Sequence, residues 1–272
     1  MTALTTALRD PAEGLSAHVG LRATVAQTMT LAWRATMKMR RNFEQMFDVT
    51  IQPLLFTAMF AGIFGGAVSG SVGGYLPTII PGLVGQTVMT ACVATGVQLR
   101  EDMDKGVFDR FKVLPIARIA PLAGPMVADL LRYAIAGTLT FATGIAMGYR
   151  PGGGVLGVVG AVLLGVVAGW SLAWIFTWFG TVGRSAQGVR GISLMVMFPL
   201  TFLSNAFVPT RTMPGWLEAF ANVNPVSHVI SAMRGLANHG TVNADLGWAL
   251  LGFAVIVAVF APLSVRRFSR KM

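Results

Sequence analysis

Asp129 and Arg132 are the only oppositely charged side chains that share an otherwise apolar stretch, and three residues separate them, which puts both on one helix face. An ion pair inside a membrane span is a functional candidate, able to relay protons or hold a charged group. The alternative is a pair near an interface that snorkels toward water. Their position one turn into the stretch favours the alternative. Other reactive chemistry is sparse. His18, His228 and His239 are scattered, and Cys92 stands alone in an apolar run, so neither a metal site nor a disulfide framework is expected. Lys38, Lys105, Lys112 and Lys271 are the lysines, and none follows a glycine, so the chain lacks a Gly-Lys-Ser/Thr phosphate loop. No Ser/His/Asp grouping stands in register for catalysis. Asp129 is the one carboxylate inside an expected span, too few for a proton path, and no internal repeat of the secondary-transporter kind is visible.

The elements that carry these residues are apolar. Residues 49–99, 151–183, 191–210 and 246–265 contain no charged side chain. A crossing helix needs about 20 apolar residues. Six crossings are expected, near 47–68, 77–99, 125–147, 155–180, 192–208 and 246–265. Charged residues make up 12% of the chain, against about 25% in soluble domains. The 32 glycines suit close helix packing in lipid. The expected class is therefore an all-α polytopic membrane protein. Its parts are a tail (1–20), an amphipathic helix (21–45), one transmembrane domain (46–265) and a second tail (266–272). No cleavable signal peptide is expected, because Arg9, Asp10 and Glu13 interrupt the first residues.

Basic residues orient the spans. Arg9, Arg22, Arg34, Lys38, Arg40 and Arg41 precede the first span. Arg100, Lys105, Arg110, Lys112 and Arg118 follow the second, Arg184 and Arg190 follow the fourth, and Arg266, Arg267, Arg270 and Lys271 follow the sixth. The opposite side holds only Arg150, Arg211 and Arg234. Both termini are expected in the cytoplasm. The net charge of +10 then points to anionic lipid headgroups rather than nucleic acid.

Four further segments carry information. Leu21, Val25, Met29, Ala32 and Trp33 share one helical face opposite Gln27, Arg34, Lys38 and Arg41, the pattern of a helix lying in the interface. Its role is a plain anchor or a dock for a partner. In the loop 100–118, Val107, Phe111 and Leu114 form a stripe with Phe108 at its edge, Asp109 can pair with Lys112, and Pro115 ends the helix. Exposed aromatic knobs with a rim of Glu101, Asp102, Lys105, Asp109 and Arg110 resemble a protein interface more than a solvated hairpin. Residues 211–238 are too short to cross twice. Pro214 and Asn224-Pro225 open two helices, with Trp216 and Phe220 on the first, expected as a re-entrant pair. In the fifth span, Met195, Phe198, Phe202 and Phe207 offer an adaptable apolar surface, Ser204 and Asn205 add polar groups, and Pro199 loosens the helix. This surface is either a path for a ligand or dimer packing.

Together these stretches resemble the permease subunits of type-2 ATP-binding-cassette exporters, in particular their daunorubicin-resistance branch. The likeness rests on residues 101–118, with Lys105-Gly106 and Leu114-Pro115-Ile116-Ala117-Arg118. It rests also on Met213-Pro214-Gly215-Trp216-Leu217, and on Asn224-Pro225 followed by Met233-Arg234-Gly235-Leu236. The chain has Gly106-Val107 where the family often has Gly-Thr. The resemblance implies a coupling helix that seats in an ATPase cleft through Glu101, Asp102, Lys105, Gly106, Phe108, Asp109, Arg110 and Phe111. It implies an outer gate at Pro214, Trp216, Phe220, Asn224 and Pro225. The composition of the fifth span, and not the resemblance, offers Met195, Phe198, Phe202, Ser204, Asn205 and Phe207 as a substrate path, with dimer packing as the equal alternative. It further implies two ATPase subunits that hold ATP and Mg, a second permease, identical or homologous, and no cofactor on this chain. The cargo expected is a hydrophobic drug, polyketide or lipid. The alternatives are a transporter or channel acting alone and an exporter of lipid-linked polysaccharide. A membrane enzyme lacks a catalytic constellation.

Overall fold

Within hydrocarbon a backbone satisfies its own N–H and C=O groups only in a helix or a closed barrel, and the apolar runs of this chain fold as helices. The computed structural model describes residues 20–108, 116–117, 119–208, 210 and 213–270, apart from the side chains at 44, 45, 48, 67–69 and 72. Among the described residues the elements are α1 (Leu21–Arg41), α2 (Phe43–Ser69), α3 (Val72–Asp104), α4 (Ala120–Ala146) and α5 (Gly154–Val182). They continue with α6 (Ala186–Phe202), α7 (Gly215–Val223) and α8 (Pro225–Arg234), a π-helical turn (Gly235–His239), and α9 (Ala244–Ser269). The chain is an all-helical, multi-pass membrane protein.

Among the described residues four helices, α2, α3, α5 and α9, are long and apolar enough to cross a bilayer. The other two expected crossings are less apolar or shorter. Helix α4 has 27 residues, about 40 Å against a hydrocarbon core of about 30 Å, but Asp129, Arg132, Thr138, Thr140 and Thr143 dilute it. Helix α6 has 17 residues, about 26 Å.

Local signals set the starts. Ser71 and Ser185 cap α3 and α6 by accepting from Gly74 N at 3.2 Å and Gly188 N at 3.1 Å. Gly70, at φ 69°, makes the turn before α3 possible. Asn224 caps α8 by accepting from Val226 N at 3.0 Å, with Pro225 at the first helical position as the sequence predicts.

Helix α3 is the axis of the fold. It packs against α2, α4, α5, α6 and α8, and Tyr75, Leu76, Ile79, Ile80, Leu83 and Val84 are buried along it. In its membrane segment 72% of residues are buried, against 11% in α9, so α3 is a core element and α9 a peripheral one. Its crossing with α5 is close because Gly96 and Gly180 meet there; a Cβ on Gly180 would crowd the Gly96 carbonyl.

Helix α1 lies along α4. Leu21, Val25, Met29 and Trp33 form an exposed apolar stripe, while Ala32 and Met39 are buried. Two polar side chains of α1 tie it to the protein. Gln27 accepts from Ala117 N at 2.9 Å, and Lys38 Nζ lies 2.8 Å from Asp102 on α3.

Candidate functional site

Most of the candidate residues gather at two poles joined by α3. At the pole where α3 ends, beneath α1, Asp129 and Arg132 form an ion pair of 2.7 Å. Thr95 Oγ1 donates to Asp129 Oδ2 at 2.6 Å, and Arg132 Nη2 donates to Thr95 at 3.2 Å. The Thr95 hydroxyl also meets the Tyr133 hydroxyl at 3.0 Å. The pair is 7% and 3% exposed, so the expectation of a snorkelling interfacial pair is overturned. The reason is that α3 and α4 pack over it and supply Thr95 and Tyr133, which replace the water that snorkelling would seek. Among the described residues Arg132 Nε has no hydrogen-bond partner. A cavity of about 280 Å³ opens next to the pair, between α1, α3 and α4.

Glu101, Asp102, Lys105, Gly106 and Phe108, expected to couple to a partner, lie at this same pole. Glu101 and Asp102 sit on the last turn of α3, Lys105 caps its end, and Gly106 turns the chain at φ 65°. Lys105 pairs with Glu101 at 3.3 Å, and Arg100 pairs with Asp104 and donates to Gly183 O at 3.0 Å. Phe108 departs from expectation. It was read as an exposed knob, but it is 8% exposed and packs edge-on to Phe268 from the end of α9, with centroids 4.9 Å apart and rings at 85°. Asp109, Arg110 and Phe111 lie outside the described residues.

The pole where α3 begins is held by Arg234 at the end of α8. Its Nε donates to Thr78 O at 3.0 Å, and its Nη2 donates to Ala206 O at 3.2 Å and to Asn205 O. Helix ends leave carbonyls without partners, and the chain after α6 meets this need from several sides. Asn224 Nδ2 donates to Leu200 O at 2.7 Å, and the Tyr75 hydroxyl donates to Phe207 O at 2.7 Å. Asn238 Nδ2 donates to Pro77 O at 2.9 Å; Pro81 has no N–H to offer that carbonyl within the helix. A Cβ on Gly82 would collide with the Ala206 carbonyl, so glycine there permits the approach.

The fifth-span residues divide. Met195, Phe198 and Phe202 are 78%, 49% and 46% exposed and form an apolar face on α6. Phe198 stacks on Phe202 at 5.5 Å, Phe202 on Phe207 at 5.3 Å, and Phe207 on Phe60 of α2 at 5.1 Å. Phe56 and Phe64 extend the ladder along α2. Ser204 and Asn205 were expected to add polar groups to a path, but both are buried in the pole. The Ser204 hydroxyl bonds Thr201 O, and Asn205 Nδ2 donates to Ser231 at 2.7 Å.

The profile of the family described as ABC-2 type transporter matches residues 26–237. The chain belongs to this family. It is 44% identical to the daunorubicin resistance ABC transporter permease protein DrrB1 of Streptomyces coeruleorubidus, over 91% of this chain and 87% of that one. It is 26% identical to the probable doxorubicin resistance ABC transporter permease protein DrrC of Mycobacterium tuberculosis, over 90% of each. A more distant relative is the probable multidrug ABC transporter permease YbhR of Escherichia coli, 22% identical over 71% of this chain and 52% of that one.

For an ABC-2 permease the site residues thus fall into three groups. Glu101, Asp102, Lys105, Gly106 and Phe108 meet at one pole beside Asp129 and Arg132. Asn224 and Pro225 meet Ser204 and Asn205 at the other. Pro214 precedes α7, which carries Trp216 and Phe220; Trp216 is 70% exposed and Ala221 is the buried residue of the helix, so α7 is the loosely held member of its pair. Sequence reasoning missed Arg234, Tyr75, Asn238 and Thr95. Arg234 had one available signal: a lone cation between Met233 and Gly235-Leu236.

Proposed function

We propose that the chain is the transmembrane subunit of an ATP-driven exporter that moves hydrophobic or amphiphilic compounds out across the cytoplasmic membrane. The reading takes six crossings, with α4 and α6 as the third and fifth. It places both termini and the α1 pole in the cytoplasm, and the α8 pole outside with α7 and α8 re-entrant. Two such subunits, identical or homologous, work with two ATP-binding-cassette subunits, which carry the ATP and Mg. The observation that carries the proposal is the exposed Met195-Phe198-Phe202 face, continuous with the Phe207-Phe60 ladder of α2. Rigid aromatic and soft thioether groups make an adaptable apolar surface with little polar demand. Drug-resistance permeases are among the relatives, which supports a cargo of this class.

The coupling reading rests on the α3 terminus. Glu101, Asp102 and Lys105 crowd the end of a helix that also forms the core, so a partner bound there pushes on the whole span. The test is transport. The chain co-expressed with its ATPase should lower accumulation of a fluorescent hydrophobic drug in sensitive cells. Phe198→Ala/Phe202→Ala should change which drugs are exported while ATPase assembly persists. Equal export of every drug by that double variant would remove the face from the path. Export by the chain without any ATPase would establish the lone-transporter alternative.

A further inference from the structure

The cavity under α1 is held open by the way that helix is fixed. At Leu31 the helix rests on α4 so closely that a Cβ on Gly124 would collide with the Leu31 side chain. At Lys38 it is paired with Asp102 of α3 at 2.8 Å. About 10 Å of helix lies between these two points, and α1 spans the gap as an arch. Ala35 stands midway and is too small to fill the space beneath. The walls are stiff, with Pro121 and Pro125 from the start of α4 and Leu99 from the core helix α3. The cavity of about 280 Å³ is thus built into the fold.

The lining decides what fits. Met39, Leu122 and Met126 make it largely apolar. Every described cation that lines it already has a partner. Lys38 has Asp102, Lys105 has Glu101 at 3.3 Å, Arg132 has Asp129 at 2.7 Å, and Arg34 is not free either. A charged ligand would have to break one of these pairs or stay unpaired, and a buried unpaired charge is costly. Water is a poor filling as well. Each buried molecule needs about two to four polar partners, and Thr95, Asp129 and Arg132 are spent on one another. One polar group remains. Gln98 lines the cavity, its side-chain amide has no hydrogen-bond partner among the described residues, and unlike Arg132 Nε it keeps accessible surface. The volume lies just below about 300 Å³, the lower end for drug-sized ligands, so the occupant is small. We propose that this cavity binds one uncharged, compact hydrophobic molecule with a single hydrogen-bonding group for Gln98. The ligand bridges α1, α3 and α4 beside Asp102, apart from the α6 face, so its binding does not depend on the export reading.

The test uses the full-length chain in a neutral detergent and the uncharged photoreactive probe trifluoromethyl-phenyldiazirine, with insertion sites mapped by peptide mass spectrometry. Insertion into residues 31–39 and 122–126 should saturate and be displaced by aminoanthracene, which is uncharged at neutral pH. Insertion along the exposed face of α9 should instead rise in proportion to the probe. Anthracene carboxylate, an anion on the same ring system, should displace the probe at least about tenfold less well. Ala35→Leu fills the arch and should abolish the saturable part while labelling of α9 persists. Gln98→Leu keeps the volume and should weaken aminoanthracene about fivefold, the worth of one hydrogen bond; it decides alone should the Ala35 variant fail to fold. Proportional labelling in every segment, or equal displacement by the anion, would overturn the proposal. A folded Ala35→Leu chain or a Gln98→Leu chain that binds like the wild type would overturn it too.

Discussion

Each pole of the molecule is organised around one arginine, and the two are used differently. Arg234 donates to the carbonyls of Thr78, Asn205 and Ala206, groups that cannot titrate, and so fastens α8 to α3 and to the chain after α6. Arg132 faces a carboxylate, a hydroxyl and an open cavity, and retains an unused donor. A cation committed to backbone is a fastener. A cation opposed by an acid beside open space can change partners. The pole with the cavity is therefore the one suited to respond to what binds there, and the other is suited to keep its shape.

The contrast breaks most decisively at the buried pair. Asp129→Ala leaves Arg132 uncompensated inside the protein and should cost about 3–5 kcal/mol, read as a lower melting temperature of the purified chain. The double variant Asp129→Leu/Arg132→Met should recover most of it, because no orphan charge remains. A loss well under about 1 kcal/mol for the single variant would mean that water reaches the pair. Next in size is Arg234→Met. It strips charge-assisted bonds from three carbonyls, and such bonds are worth about 1.5–3 kcal/mol. Limited proteolysis between α6 and α7 should accelerate, and Arg234→Lys should rescue little, since one ammonium lacks the fork that spans two carbonyls. Unchanged cleavage would remove the fastener from the comparison.

Two smaller effects sharpen it. Phe108→Leu keeps the burial but loses the edge-on contact with Phe268, about 1 kcal/mol. Hydrogen exchange in the last turn of α9 should rise; unaltered protection would show that Phe108 is not held there. Lys38→Met removes a half-exposed pair with Asp102 and should cost about 0.2–1 kcal/mol. That cost should vanish in high salt, where exposed charges are screened.

The four helices long and apolar enough to cross were legible because lipid enforces a simple rule, and the charge-free runs obey it. The start of α8 was legible for a local reason: Asn224 and Pro225 act on the backbone beside them. The fasteners were not, because each depends on residues distant in the chain. Arg234 finds its acceptors only when the start of α3 and the end of α6 arrive beside it, and in sequence it reads as an ordinary surface charge. Ser204 and Asn205 read as path residues for the same reason. Phe108 looked like a knob because Phe268, which covers it, comes from the opposite end of the sequence. The Asp129–Arg132 contact was predictable from spacing, while its depth depended on Thr95 and Tyr133, which no spacing rule brings forward.

Helix α3 bears on all of this as a mechanical part. It runs unbroken through 33 residues, about 50 Å. One end is gripped at Pro77 and Thr78 by Asn238 and Arg234, and the other carries Glu101 and Asp102. A rod pivoted at one tip amplifies: a tilt of about 5° displaces the far tip by about 4 Å over that length. The grip at Pro77 exists because Pro81 withholds a hydrogen, so a missing atom in the helix marks where the fulcrum sits.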